Sequence, residues 1–355
     1  MKITLCDFKL KILSVKLKNL ESGILNFNPQ NILIINFGQI GDVILSLPAL
    51  KAVREKFPEA RITALVGKSG TNVVEISGFV DEKITVDRVL LRDSGKIWST
   101  RQIFKIVKDI RNRRFDFIID LHSLYETNLL GFFSGAKHRL YAKRGNRSLD
   151  FLANFLPAPP DFDRTKHLTD YYLSVLKPLG IEDAERFVTI SLPKDDLETI
   201  ENLLQKENFE NENLIGMFPG AGHENRRWKL ENFAELAKLL SAKKNIKIIV
   251  FLGPEEASLR REIDEIFPSE TIIFDDLTLM QFTTVLSRLQ VLISNDTGAA
   301  HLAAIAGTWL VLIMDKRAPT TYLPLTEKIC IINSGTLDEI DVEEVFQATQ
   351  KILAN

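Results

Sequence analysis

Residues 31–67 read NILIINFGQIGDVILSLPALKAVREKFPEARITALVG, and they decide the fold class. NILIINF (31–37) is a continuous apolar run of strand length, as expected of a strand buried on both faces. LSLPALKAVREKFP reads as a helix ending near Pro58, and ARITALVG (60–67) as the next strand. Strand, helix and strand at this spacing imply a parallel sheet covered by helices. Between the first strand and the helix stands GQIGD, with Asp42 behind Gly38 and Gly41.

The same alternation continues outward. STRQIFKIVKDIRNRR is a basic amphipathic helix, and FDFIIDLH (115–122) a third strong strand. The pattern restarts at NLIGMFPG (213–220) and runs through strands at IKIIVFLG (246–253), TIIFDD, VLISND (291–296) and WLVLIM (309–314), with helical patterns between them. The break lies around 180–193, where Pro178, Gly180 and Pro193 interrupt any long period. We therefore divide the chain into an N-terminal extension (1–30), two Rossmann-like halves (31–185 and 186–338) and a C-terminal helix (339–355). Open sheets of this kind bind ligands beyond the carboxyl ends of their strands, so two halves facing one another would line a cleft with strand-to-helix loops.

Composition narrows the class. At 355 residues there is length for two domains, and 45% hydrophobic residues suffice for unstapled cores. A net charge of −2 gives no global field for nucleic acid. Cys6 and Cys330, far apart in sequence, suggest neither a disulfide framework nor a zinc site, which fits a reducing cytoplasm. No apolar run reaches the ~18 residues that span a bilayer. The first 23 residues carry five lysines and two acids interleaved with apolar residues. They read either as a solvated extension or as a basic amphipathic element in peripheral contact with an anionic membrane.

The loops after the strong strands are glycine-bearing or polar. In NDTGAAHLAAIAGT, Asp296, Thr297 and Gly298 precede an apolar helix whose first amides and dipole suit a phosphate. Capping by Asp296 would explain that acid alone, and His301 is either a ligand contact or a core histidine. In PGAGHENRRW, Gly220 and Gly222 let the main chain approach a ligand, and Arg226 or Arg227 can grip a phosphate. In FLGPEE, Glu255 or Glu256 can accept from ribose hydroxyls or simply start a helix. The dinucleotide fingerprint G-x-G-x-x-G follows none of the strands, so nicotinamide chemistry has little support.

The segments IGDVILSLPAL, PGAGHENRRWKLENFAELA and SNDTGAAHLAAIAGT occur in an order and spacing that resemble glycosyltransferase family 9, the bacterial heptosyltransferases of lipopolysaccharide core assembly. The resemblance covers most of residues 31–325. It implies a GT-B fold, inversion at the anomeric carbon, no metal or other cofactor, and an ADP-linked heptose as donor substrate. It makes 31–185 the acceptor half and 186–338 the donor half. It further implies that Asp42 is the catalytic base, that Asp296 holds donor sugar hydroxyls, that Thr297 and Gly298 contact the pyrophosphate, and that Glu256 takes the ribose. Arg226 stands where the family has a phosphate-binding lysine. The run Arg226-Arg227-Trp228-Lys229 lacks the family's proline, and MDKRAPTTYLP replaces its glycine-rich turn.

The chemistry expected of these residues is deprotonation of an acceptor hydroxyl by Asp42, with Gly38 and Gly41 making room for the sugar. Arg226 and the helix start at Thr297–Gly298 would steady the departing diphosphate. Asp161 and Asp163 form an Asp-x-Asp, but in a proline-rich loop that reads as a turn rather than a metal site. KHRLYAKRGNRS (137–148) holds Arg139, Lys143, Arg144 and Arg147 and contains no acid. It is a candidate for carboxylates or phosphates on an anionic glycan or lipid-linked acceptor, and with no aromatic platform beside it nucleic acid is disfavoured. Two rival readings stand beside transfer: a sugar-nucleotide epimerase of the same architecture, and a degenerate member that binds without chemistry.

Overall fold

The structure, a computed structural model, describes residues 27–145, 147–206, 212–223 and 226–354. The amphipathic N-terminal segment therefore lies outside the described residues. Two compact units emerge. The first comprises residues up to Gly38, Ser46–Glu75 and Phe79–Arg186; the second comprises Gln39–Leu45, Ile76–Gly78 and the residues from Phe187 on.

In the first unit, β1 (Asn31–Asn36), β2 (Arg61–Gly67), β3 (Glu82–Val86), β4 (Phe117–Asp120) and β5 (His138–Tyr141) form one parallel sheet in the order β3-β2-β1-β4-β5. Central placement explains why β1 is apolar without alternation: every residue after Asn31 is buried. The helices along this sheet are α1 (Ile40–Lys56), whose first residues through Leu45 belong to the second unit, α2 (Thr71–Ser77), whose last residues do too, α3 (Arg88–Asp93), α4 (Lys96–Asn112), α5 (Tyr125–Phe133) and α6 (Leu168–Val175). Crossovers from β1 to β3 run one way across the sheet, and those from β3 to β5 run back. Right-handed connections then put α3, α4 and α5 together on the face opposite α1 and α2. Leu33, Ile35 and Phe37 point to that face and pack with Ile110, Ile118, Leu130 and Tyr141. The Asp116 carboxylate accepts from the amides of Gln30 (2.8 Å) and Asn31 (3.1 Å), fixing the start of β1 beside β4.

In the second unit, β6 (Asn213–Phe218), β7 (Ile246–Phe251), β8 (Ile272–Phe274), β9 (Val291–Asn295), β10 (Trp309–Ile313) and β11 (Ile329–Ile332) form a parallel sheet in the order β11-β10-β9-β6-β7-β8. Its helices are α7 (Lys194–Lys206), α8 (Leu230–Ser241), α9 (Arg260–Ile266), α10 (Leu279–Leu286), α11 (Gly298–Ala306) and α12 (Val342–Leu353). One core joins Ile215, Met217, Trp228, Phe233, Val250, Ile293, Val311 and Val345. The strand order reverses between β6 and β9, as it does between β1 and β4 in the first unit. Among the described residues, no helix is long and apolar enough to cross a membrane.

Two local readings change. The first helix begins at Ile40, not near Leu45, so Gly41 and Asp42 lie in its first turn. The short edge strands β3 and β5 carry too few apolar residues to stand out from the surrounding chain, and β11, though apolar throughout, is only the four residues Ile329–Ile332.

Gly216, in β6, has no space for a side chain: a Cβ there would lie 2.4 Å from Leu289 Cδ1 and 3.0 Å from both Leu292 Cδ1 and Phe251 Cε2. Gly216→Ala is expected to destabilise the second unit by about 1–3 kcal/mol through overpacking, read as a lower urea midpoint.

Candidate active site

In the second unit, three loops leave the carboxyl ends of the neighbouring strands β9, β6 and β7, at the place where the strand order reverses. Asn295 ties two of them together. Its side-chain amide donates to the carbonyls of Pro219 (2.9 Å) and Gly220 (3.1 Å), and its Oδ1 accepts from the Trp228 amide (3.0 Å). Trp228 is itself locked in the core, its indole N–H donating to Ile340 (3.1 Å). The glycine loop is thus held at both ends.

Gly220 is required by close approach. A Cβ there would fall 2.4 Å from Glu256 Oε1. Glu256 is buried, whereas Glu255 is exposed, so the buried acid is the one lying against the glycine loop. Burial raises the Glu256 pKa, opposed by the Gly253 amide, which donates to its Oε2 (3.2 Å). Arg227 is spent on the loop, donating from Nε and Nη2 to the Ala221 carbonyl (3.2 and 3.0 Å). Arg226 is exposed and lowers the Asp296 pKa, which burial raises more strongly. Of the two arginines, Arg226 is the one whose charge acts on Asp296. Gly222 borders open space.

Thr297, not Asp296, is the N-cap of α11, and its side chain makes no capping bond to the first-turn amides. Its hydroxyl lies 3.3 Å from that of Ser294. The segment Gln39–Leu45 belongs to this same unit and packs against α11. A Cβ on Gly298 would meet Ile40 Cβ at 3.2 Å, and one on Gly41 would meet His301 Cδ2 at 2.8 Å. Two glycines, one on each helix, therefore let the first turns of α1 and α11 touch. His301 is 6% exposed, and its ring is the surface on which Gly41 rests. Asp42, half-buried one residue later, accepts from the Gln39 amide through Oδ2 (3.2 Å). That is the reach-back half of a capping box, which holds the carboxylate at the helix mouth.

The first unit has its own cluster where its strand order reverses. Asp120 ends β4, fully buried, and accepts from the amides of His122 (3.1 Å) and Ser123 (2.7 Å) and from Asn128 Nδ2 (2.8 Å). Ser123 is held at φ +47°, a conformation that costs ~1–3 kcal/mol outside glycine. His122 Nδ1 and, at the end of β1, Asn36 Nδ2 are buried with no protein partner. Such orphans point to a ligand or water. Sequence reading passed over this group, although DLHS follows a strong strand just as NDTG does.

The basic stretch 137–148 divides by role. Arg139 donates to the carbonyls of Leu152 (3.1 Å) and Ala136 (2.8 Å), so its guanidinium is built into the fold. Lys143 pairs with Asp161 (3.2 Å), and Asp163 accepts from Thr165 (2.9 Å to the amide), so both members of the Asp-x-Asp have local work. Arg147 is exposed. Arg144, its guanidinium 5.6 Å from the Phe162 ring, is near enough to depress the His122 pKa after burial, with Arg88 adding to the effect.

Two outcomes follow from these contacts. Asn295→Ala unpairs two carbonyls and an amide at once, so a loss of about 2–4 kcal/mol is expected in thermal or urea unfolding. Burial pushes Asp120 up to about 6 and His122 down to about 3. As pH falls from 6 toward 4, the native state gains a proton at Asp120, which stabilises it. Over the same range the unfolded state gains one at His122, which destabilises the native state. The two oppose each other in the wild type. In Asp120→Asn the histidine is uncompensated, so stability should fall more steeply on acidification, by up to ~1.4 kcal/mol per pH unit. Urea midpoints at pH 6, 5 and 4 measure the difference.

Residues 103–350 match the family model for glycosyltransferase family 9 (heptosyltransferase). The lipopolysaccharide core heptosyltransferase OpsX of Haemophilus influenzae is 22% identical over 302 residues, which span 83% of this chain and 82% of that protein. Among solved structures, a family 9 glycosyl transferase from Veillonella parvula superposes with a TM-score of 0.80 at 22% identity, covering 92% of this chain and 98% of the other. The ADP-heptose LPS heptosyltransferase II of E. coli superposes at 0.76 and 19% identity, covering 92% and 99%. These likenesses assign the two parallel-sheet units to the GT-B fold. The family match spans more than half of the sequence, and on that ground the chain belongs to glycosyltransferase family 9 and is a glycosyltransferase.

Proposed function

We propose that the protein transfers a heptose from ADP-heptose to a lipopolysaccharide core or related glycan acceptor, with inversion and without a metal. The observation that carries this reading is the contact of α1 with α11 through Gly41 and Gly298, which sets Asp42 beside an uncapped helix start within one unit. The relatives named above supply the sugar and the acceptor class.

In this mechanism an acceptor hydroxyl oxygen attacks the anomeric carbon as Asp42 removes its proton. The bond from that carbon to the diphosphate breaks, and ADP leaves with the electron pair. The first-turn amides of α11, the Thr297 hydroxyl and Arg226 hold the diphosphate as its charge grows, the task a divalent ion performs elsewhere. Asp296 takes donor sugar hydroxyls, and Glu256, pressed against Gly220, takes the ribose. Gly222 gives the loop room to close on the nucleotide, and His301 supports the α1 turn from below. In the first unit, the orphaned atoms of Asn36 and His122, with Arg144 beside them and Arg147 outside, suit carboxylates or phosphates of an anionic acceptor. The unshared hydrogen-bonding capacity of His122 and Asn36 orients such a group, and Arg144 supplies the charge. A lipid-linked acceptor would bring the protein to a cytoplasmic membrane surface as a peripheral enzyme.

Asp42→Asn keeps the shape and an oxygen for the Gln39 amide but cannot accept the proton. With ADP-heptose and a core saccharide, kcat should fall about 10²–10⁴-fold, while ADP affinity stays within about twofold. Turnover near the native rate would show that another group takes the proton.

A further inference from the structure

The face formed by α4, α5 and the turn Asp150–Leu152 is the outer surface of the first unit's helical layer, and neighbouring elements of it are in contact. It carries apolar side chains where a water-facing layer would carry polar ones. On α4, Ile103 is 46% and Phe104 70% exposed. On α5, Tyr125, Leu129 and Phe132 recur at helical spacing on the outward side, with exposures of 48%, 38% and 42%, while Thr127, Asn128 and Leu130 face inward. Phe133 adds 49%, and Phe151, in the adjoining turn, is 75% exposed. Scattered exposed residues need no explanation, but a contiguous group of this kind marks an interaction surface.

Charge selects the partner. Exposed Arg101, Lys105 and Lys108 flank Phe104 one turn away or less, and exposed Arg111 continues the stripe. Described acids on this helix reduce to Asp109, which pairs with Arg113 (3.1 Å). A second copy packing by two-fold symmetry would set these cations against one another. An anionic bilayer surface accepts them and takes the phenylalanines into its headgroup boundary.

We propose that this face docks the protein on an anionic phospholipid surface, with Phe104 and Phe151 as inserted anchors and the α4 cations as the electrostatic contact. The proposal deepens the transferase reading, since a lipid-linked acceptor lies in such a surface.

The test uses the full chain and vesicles of phosphatidylglycerol and phosphatidylethanolamine, with phosphatidylcholine vesicles as the neutral control. Sedimentation should show binding to the anionic vesicles only, weakened by salt. Phe104→Ser combined with Phe151→Ser should reduce partitioning at least about tenfold. Lys105→Glu with Lys108→Glu should reduce it further, since each basic residue at such a surface is worth about fivefold. Transfer to a soluble, lipid-free core saccharide should be unchanged in both variants. Absence of binding by the wild type, equal binding by the variants, or a wild-type dimer that the phenylalanine variant dissociates would each overturn the proposal. Binding is read with no sugar present, so failure of the transferase reading leaves it standing. Failure of vesicle binding leaves transfer to the soluble saccharide intact.

Discussion

The contact on which the proposed chemistry depends is between two helix starts, each bearing a glycine where the other bears a side chain. Gly41 rests on the His301 ring, and Gly298 rests on Ile40. Neither position accommodates a Cβ without displacing its neighbour. Any larger residue would push the first turn of α1 off that of α11, and Asp42 with it. The rest of the second unit serves this contact: Asn295 closes the glycine loop onto β9, Trp228 anchors the far end of the loop in the core, and Glu256 fills the space Gly220 leaves.

The two units spend buried polarity differently. In the second, the buried polar side chain at the strand reversal is saturated: Asn295 makes three bonds to main-chain groups. In the first, Asp120 is saturated by the turn that follows it, but its neighbours His122 and Asn36 each keep a buried nitrogen without a protein partner. A saturated group builds the scaffold, whereas an orphan at a strand reversal is a place for a ligand. The same crossover topology thus yields a braced loop in one unit and a polar recess with orphaned atoms in the other.

Much of the fold is legible in the sequence because parallel central strands must be apolar on both faces. NILIINF, FDFIID, IKIIVF and WLVLIM announce themselves for that reason. The edge strands do not, since EKITV and HRLY are half-solvated and read as loop. The start of α1 is obscured by Gly41, a poor helix former that this turn requires for contact rather than for flexibility. Asp42, Asp296, Thr297 and Gly298 could be singled out by their place after strong strands. The division of labour among neighbours could not. That Arg227 binds its own loop while the charge of Arg226 acts on Asp296, or that Arg139 serves the fold while the charge of Arg144 acts on His122, follows from a tertiary arrangement that spacing does not encode. His122 and Asn36 needed only the strand-end rule applied to every strand.

The most direct measurement is a crystal structure with a non-transferable ADP-heptose analogue. The geometry predicts the diphosphate on the amides at the start of α11, the ribose at Glu256, and the anomeric carbon on the side of the sugar open to Asp42, with space for one hydroxyl between them, at ~3 Å from the carboxylate. A nucleotide seated away from the α11 start, or a sugar whose reacting face turns from Asp42, would contradict it.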